Sequence, residues 1–359
     1  MLRVTSGGPL ATVQDQGRFG FSRFGISVSG AVDAHALTLG NRLVGNPANS
    51  AAIEITFGGA VFEFAADTVF ALTGADLSPD LNGVPVQMNQ TIAAIPGDRL
   101  SMQSPRFGLR SYLCVAGGFE VPLTMGSRST YLAAGVGGHH GRALKQGDEV
   151  PIGTPGRTVH AGRRAPDAII PRYGAEISVR VVPGPQEDRF TERGLETFYS
   201  SVYTSTDKSD RQGVRLDGPA IEAHGKRYDI VSDAVVTGAI QVPGDARPIV
   251  LLADRQTTGG YPKIGVVATV DIPLLAQAAP GTKIRFSKVT VEEAQQATRT
   301  AIAGLAGMAL EEPVVQVTEM VIDGLPVRVE IATPREPTSL TRLTVVENGR
   351  LRVAAIDVV

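Results

Sequence analysis

The residues best able to do chemistry lie in Asp254-Arg255-Gln256-Thr257-Thr258-Gly259-Gly260-Tyr261-Pro262-Lys263-Ile264-Gly265. Asp254 and Arg255 carry opposite charges, Thr257, Thr258 and Tyr261 offer hydroxyls, and Lys263 adds a point charge. Gly259 and Gly260 accept backbone angles that other residues avoid, and they let a ligand approach the main chain. The apolar run 248–253 leads in and reads as a buried strand, so the polar groups gather where a strand ends. Two readings fit. One is a binding wall for a small polar or anionic molecule. The other is a hairpin corner that satisfies its own hydrogen bonds.

Other familiar chemistry is missing from the sequence. There is no Gly-x-x-x-x-Gly-Lys-Ser/Thr phosphate loop. Gly135-Val136-Gly137-Gly138-His139-His140-Gly141 lacks the dinucleotide-binding spacing, and adjacent histidines read as loop lining rather than a metal pair. His35, His160 and His224 are isolated, and no Ser/His/Asp set is recognisable by local motif. The lone cysteine, Cys114, alternates within Ser111-Tyr112-Leu113-Cys114-Val115-Ala116 like a buried strand thiol.

The elements that must position these residues are short. In 359 residues, 41 glycines and 23 prolines separate brief apolar runs such as 69–72, 112–116, 177–182 and 249–253. Turn signals lie between them at Asn82-Gly83, Pro96-Gly97, Gly117-Gly118 and Pro280-Gly281. This is the rhythm of an all-β barrel or sandwich. Helical periodicity is confined to 33–43, 187–199 and 291–310. A weak repeat is visible: Arg18-Phe19-Gly20 with Gly25 echoes Arg211-Gln212-Gly213 with Gly218, and Ile95-Pro96-Gly97 echoes Ala279-Pro280-Gly281. Two related barrels are the economical reading. They would meet near 162–174, giving segments 1–165 and 175–295, with 311–359 a small C-terminal β element around the hairpin signals Asp323-Gly324 and Asn348-Gly349.

Charge is balanced, 34 Lys and Arg against 36 Asp and Glu, which argues against nucleic acid or a membrane surface held by bulk electrostatics. No signal peptide or membrane-length apolar run is evident, and one cysteine fits a reducing cytoplasm.

Thr12-Val13-Gln14-Asp15-Gln16-Gly17-Arg18-Phe19-Gly20 and Gly25-Ile26-Ser27-Val28-Ser29-Gly30-Ala31-Val32-Asp33 resemble the opening of the allophanate hydrolase subunit 2 family. This family is also described as biotin-dependent carboxyltransferase-like, as the C subunit of 5-oxoprolinase, or as KipA-like. The resemblance continues through Asn41 to Asn46, Ala52-Ile53-Glu54, Leu72 to Ala75, Val115 to Gly118, Gly126-Ser127-Arg128-Ser129-Thr130, Ser209-Asp210-Arg211-Gln212-Gly213-Val214-Arg215-Leu216, Gly238-Ala239-Ile240-Gln241-Val242-Pro243 and the Asp254 stretch.

It implies a mainly β fold of two tandem cyclophilin-like barrels with few helices and a C-terminal appendage. It also implies a heteromer with a subunit 1-type protein (the B subunit of 5-oxoprolinase, KipI-like), in some members with a lactam-hydrolase-like third subunit. Three functions follow from it. The first is a subunit of an ATP-dependent 5-oxoprolinase, with ATP bound at or with a partner. The second is a biotin-dependent carboxyltransferase subunit acting on urea or another small amide. The third is a non-catalytic regulator that binds a kinase-inhibitor-type partner. The tail beyond about residue 295 departs from the shorter family pattern and holds no Met-Lys-Met biotinylation motif.

Both chemistries develop negative charge on a carbonyl oxygen, which preorganised donors stabilise. Arg211 and Arg255 are the candidates to clamp a carboxylate or carboxyphosphate. Asp210 and Asp254 would hold those arginines or act as a base. Ser209, Thr257, Thr258, Tyr261 and Lys263 would line the substrate, and the amides of Gly259 and Gly260 an oxyanion site. A turn with its own ion pair is the alternative for Asp210-Arg211, and Gln14, Asp15 and Arg18 fit a barrel-closing role as well as a functional one.

Overall fold

Two cores organise the chain in the computed structural model, which describes residues 1–322, 325–333, 342–347 and 350–355. The first unit comprises residues 1–16, 35–170 and 308–359; the second comprises 17–34 and 171–307. Residues 17–34, though they lie early in the sequence, therefore belong to the second unit. The chain is mainly β, as expected, with four α-helices among the described residues.

In the first unit a six-stranded and a five-stranded sheet share one core. Phe62 and Phe64 come from the first sheet, Phe70, Leu72, Ile53 and Leu113 from the second, and the Phe64 and Phe70 rings stack at 5.0 Å. The Asn82-Gly83 signal is a two-residue hairpin between Asp80–Leu81 and Val84–Pro85, with both turn residues at positive φ. Helix Ala34–Leu43 lays Gly40 against the sheet: a Cβ there would stand 2.5 Å from Cys114 Sγ and 2.8 Å from Thr73 Oγ1. Cys114 is fully buried, and burial pushes its thiol far above the usual range.

The second unit contains a closed seven-stranded barrel. Around it run Glu176–Pro183, Lys263–Val267, Ala239–Gln241, Ile249–Leu251, Gly213–Asp217, Tyr203–Ser205 and Lys283–Lys288. The parallel pairing of Glu176–Pro183 with Lys283–Lys288 completes the ring. Val181, Tyr203, Ile240, Val250, Ile264 and Phe286 fill it, and Phe198 from helix Glu192–Ser200 stacks on Phe286 at 4.6 Å. That helix starts later than the periodicity predicts, because Thr191 caps it by accepting from Gly194 N at 3.0 Å. Helix Val291–Ala306 opens on a full capping box from Thr290 and Glu293.

One half of the sequence repeat has a clear structural counterpart. Gly97 (φ 89°) and Gly281 (φ 92°) occupy the same kind of Pro-Gly turn. In each, the residue after glycine donates to the carbonyl before proline: Asp98 N to Ile95 O, and Thr282 N to Ala279 O.

The C-terminal segment forms a four-stranded antiparallel sheet from Val314–Ile322, Leu325–Thr333, Arg342–Glu347 and Arg350–Ala355. Its predicted turn residues, Asp323-Gly324 and Asn348-Gly349, lie outside the described residues. The segment is anchored within the first unit by Arg163 to Glu312 at 2.9 Å and by His160 Nδ1 to Thr344 Oγ1 at 3.1 Å.

Gly40→Ala should lower the melting temperature by several degrees, since overpacking a tight contact costs about 1–3 kcal/mol. Thermal unfolding checks this, and an unchanged midpoint would sink the close helix–sheet contact.

Candidate functional site

The site residues group around the place where Ile249–Leu251 leaves the barrel ladder. Leu252 N donates to Gln212 O at 2.8 Å, and Asp254 N donates to Arg211 O at 2.9 Å. These two bonds extend the pairing with Gly213–Asp217 and set residue 254 opposite residue 211. Their side chains then meet as a two-bond ion pair, Nε to Oδ2 at 2.9 Å and Nη2 to Oδ1 at 3.1 Å. Both are buried, the side chains 4% and 6% exposed.

Residues 17–34 complete this pair. Ser29 Oγ donates to Asp254 Oδ1 at 2.7 Å, Arg211 Nη2 donates to Gly30 O at 2.6 Å, and Ser27 Oγ and Ser29 N both donate to Ala253 O. Ser29 adopts φ 56°, a left-handed conformation that a serine holds only when its surroundings over-determine it. At the end of the same motif, Asp33 Oδ2 accepts from Tyr173 Oη at 2.8 Å and from Gln277 Nε2 at 2.9 Å. Desolvation, and then the Asp33 charge, push the Tyr173 phenol well above its usual range.

The other predicted residues take varied places. Ser209 closes a turn, accepting from Arg215 N at 3.0 Å. Asp210 is exposed, and its carboxylate caps the same turn through Gln212 N and Gly213 N. Thr258–Gly259 pairs with Asp233–Ala234 as a two-stranded ribbon. Thr257 O and Gly260 O extend that ribbon by accepting from Val235 N and Ile230 N. Lys263 is buried, and its Nζ pairs with Asp233 Oδ2 at 2.8 Å; this bond holds the Asp233 carboxyl below the usual range. Tyr261 is 44% exposed and lines an open cavity of about 680 Å³ with Lys226, Tyr228, Asp229 and Asp245. The structure thus joins Arg211 to Asp254 but leaves Asp210 in solvent, and it commits Lys263 to an acid the sequence did not flag.

Arg255 differs from its neighbours. It is 7% exposed, yet its Nε and Nη1 meet no acceptor among the described residues. Burial pushes its guanidinium below its usual value. A buried cation whose donors are unmet is costly. Its neighbour Gln256 donates through Nε2 to Gln241 Oε1 at 3.2 Å. Gln241 is also buried, and its Nε2 has no acceptor among the described residues. Sequence reasoning does not single out Ser29, Asp233, Gln241 or Gln256 as site residues. Three of these four lie inside family motifs; Gln256 adjoins Arg255, but no local spacing links Ser29, Asp233 or Gln241 to it.

In the first unit, the Asp15 carboxylate accepts from Ser127 Oγ at 2.7 Å and Arg128 N at 2.6 Å, and Gln14 Nε2 donates to Thr12 Oγ1 and Thr130 O. Asp15 and Gln14 thus bind two family motifs together inside that unit.

The family described as carboxyltransferase domain, subdomain A and B, matches residues 24–288. The chain belongs to this family. Its curated relatives include the C subunit of 5-oxoprolinase from Escherichia coli K12, 41% identical over 297 residues, which span 83% of this chain and 94% of that protein. The protein of the same name from Haemophilus influenzae is 38% identical over 289 residues, 80% of this chain and 91% of the relative. Among solved structures, the Kluyveromyces lactis urea carboxylase superposes with a TM-score of 0.81 at 28% identity. It covers 98% of this chain, while this chain spans only 34% of that protein. The carboxyltransferase match contains Arg211, Gln241, Asp254, Arg255 and the ribbon, and it ends before helix Val291–Ala306.

Removing either member of the Arg211–Asp254 pair leaves a buried charge. Asp254→Asn or Arg211→Met should each destabilise the protein by about 3–5 kcal/mol. The double variant should cost less than the sum, because the two changes share one interaction. Denaturant unfolding of the three variants measures this, and strictly additive costs would dissolve the coupling.

Proposed function

We propose that this chain is the C subunit of an ATP-dependent 5-oxoprolinase and, with partner subunits, opens 5-oxo-L-proline to L-glutamate. The near end-to-end match to two proteins of that name supports the reading. One observation of geometry carries the site: Arg255 is a buried guanidinium whose Nε and Nη1 lack acceptors among the described residues, and it follows an Asp254 already matched by Arg211. The substrate is a lactam bearing a carboxylate, the kind of anion such a guanidinium takes. Arg211, Asp254 and Ser29 hold the loop that presents Arg255, while Thr257 and Thr258 follow it on the ribbon. In the reaction, water adds to the lactam carbonyl, the ring C–N bond breaks and the nitrogen leaves as an amine. The carbonyl oxygen gains negative charge on the way, and fixed donors lower that barrier.

ATP is placed on a partner, because this chain carries no phosphate-loop motif. The partners are a subunit 1-type protein and a lactam-hydrolase-like third subunit. The 1–165 and 175–295 segments are assigned as the two subdomains, except that 17–34 groups with the second, and the added C-terminal element 311–359 groups with the first. No helix among the described residues is long and apolar enough to cross a membrane, and we place the complex in the cytoplasm.

A second reading, biotin-dependent carboxyl transfer to a small amide, is favoured by one observation. The urea carboxylase structure covers 98% of this chain, which leaves no room for the C-terminal sheet to be unmatched. The alignment to the E. coli relative covers only 83%. Biotin would arrive on a partner, and Arg255 would face a carboxylate or carboxyphosphate.

The purified chain alone should show no 5-oxoproline turnover. In the reconstituted complex, Arg255→Ala should cut 5-oxoproline-dependent ATP hydrolysis by about a hundredfold, the loss expected when an oriented donor is removed. Arg255→Lys should rescue poorly, because an ammonium lacks the planar fork. Arg255→Met should melt no lower than wild type, since no hydrogen bond of Nε or Nη1 is lost with it. Turnover blocked by avidin would move the assignment to the second reading, and near-normal turnover by Arg255→Ala would remove the site.

A further inference from the structure

Gln241 is a buried donor that the reaction above leaves without a task. It ends the strand Ala239–Gln241, where the register against Lys263–Val267 shifts. Irregularities of this kind re-aim side chains, often beside active sites. The side chain is 2% exposed. Its Oε1 is held by Gln256, one residue from Arg255, which fixes the amide with Nε2 pointing away from that bond. Nε2 has no acceptor among the described residues. An amide N–H buried without an acceptor is costly, and a methionine of similar size would avoid that cost.

Position 259 is fitted to this amide. A Cβ on Gly259 would stand 2.4 Å from Gln241 Nε2. The Gly259 backbone lies outside the left-handed region, so the close approach, rather than a turn, demands glycine. Gly259 belongs to the ribbon with Asp233–Ala234, which therefore covers the amide. The ribbon has only two residues per strand, and Val231 and Val236 beside it stand in solvent. A pairing this short is the kind of segment whose local opening would give a ligand a route to Nε2.

We propose that Gln241 is a further substrate-binding residue, whose Nε2 donates to the carbonyl oxygen of an amide ligand lying beneath the ribbon. The proposal rests on the reading of the Arg255 region as the substrate site. It adds the class of group recognised there: an amide oxygen, present in both a lactam and urea. Gln256 holds the donor in orientation, and Gly259 keeps its position clear.

The test is equilibrium binding of 5-oxo-L-proline, and separately of urea, to the assembled complex carrying wild-type, Gln241→Met or Gly259→Ala chains. Melting temperatures are recorded alongside. Gln241→Met should bind the wild-type ligand about tenfold more weakly, as expected for one lost hydrogen bond, and should melt within a few degrees of wild type. Gly259→Ala should weaken binding in the same direction by displacing the amide. Unchanged affinity in Gln241→Met overturns the proposal. So does a collapse of its melting temperature, which would mark Gln241 as structural, and so does a wild-type complex that binds neither amide. Wild-type binding of urea but not of 5-oxoproline would remove the 5-oxoprolinase reading alone. The same Gln241→Met comparison, made with urea, then decides this proposal.

Discussion

The buried ion pair between Arg211 and Asp254 is the constraint on which the rest of the second unit's candidate site depends. Two charges taken out of water are tolerable only when each is matched in charge and hydrogen bonding. Here the match is two direct bonds, a serine hydroxyl on the carboxylate and a carbonyl on the guanidinium. The serine and the carbonyl come from residues 29 and 30, far away in sequence. The pair therefore fixes three segments at once: the turn before Gly213–Asp217, the exit of Ile249–Leu251, and the chain around Ser29. It also sets the direction of the next residue, Arg255.

That next residue breaks the rule its neighbour obeys. Arg211 is satisfied to the point of being structural, whereas Arg255 is buried with donors unmet. The same contrast separates the two polar ends of Gln241, one held by Gln256 and the other free of acceptors among the described residues. Structural polar groups are satisfied within the fold, and groups that serve a ligand are satisfied by the ligand. Satisfaction within the fold, rather than residue type, separates Arg211 from Arg255, which the sequence offers as equals.

The anchor on Lys263 follows the same logic. Its buried ammonium is matched by the exposed Asp233, which also accepts from Gln186 Nε2, so the short ribbon is tied to the barrel through these polar bonds and the buried Val235.

Much of this was legible beforehand for stated physical reasons. Short apolar runs between Gly and Pro signals gave the mainly β class, because strand length and turn chemistry are local properties. The Pro-Gly repeat marked two equivalent turns, since a proline followed by a residue at positive φ is written in the residues themselves. The helix at 291–306 was marked by its periodicity over 291–310; its end at Ala306 was not. The short helix Ile272–Ala276 was not, because five residues carry too little period to see. The motifs named a family and brought Asp254 and Arg255 into view.

By itself, then, the sequence determined the class of fold, the turns, the family and the list of polar residues worth asking about. Only the tertiary structure decided which of them are spent on the fold. Asp210 caps its own turn, Lys263 meets Asp233, and Arg211 meets Asp254, while Arg255 and Gln241 keep donors to spare. The physical reason is that hydrogen-bond satisfaction is a long-range property. Ser29 and Asp254 stand 225 residues apart in the chain, and no local pattern records that they meet.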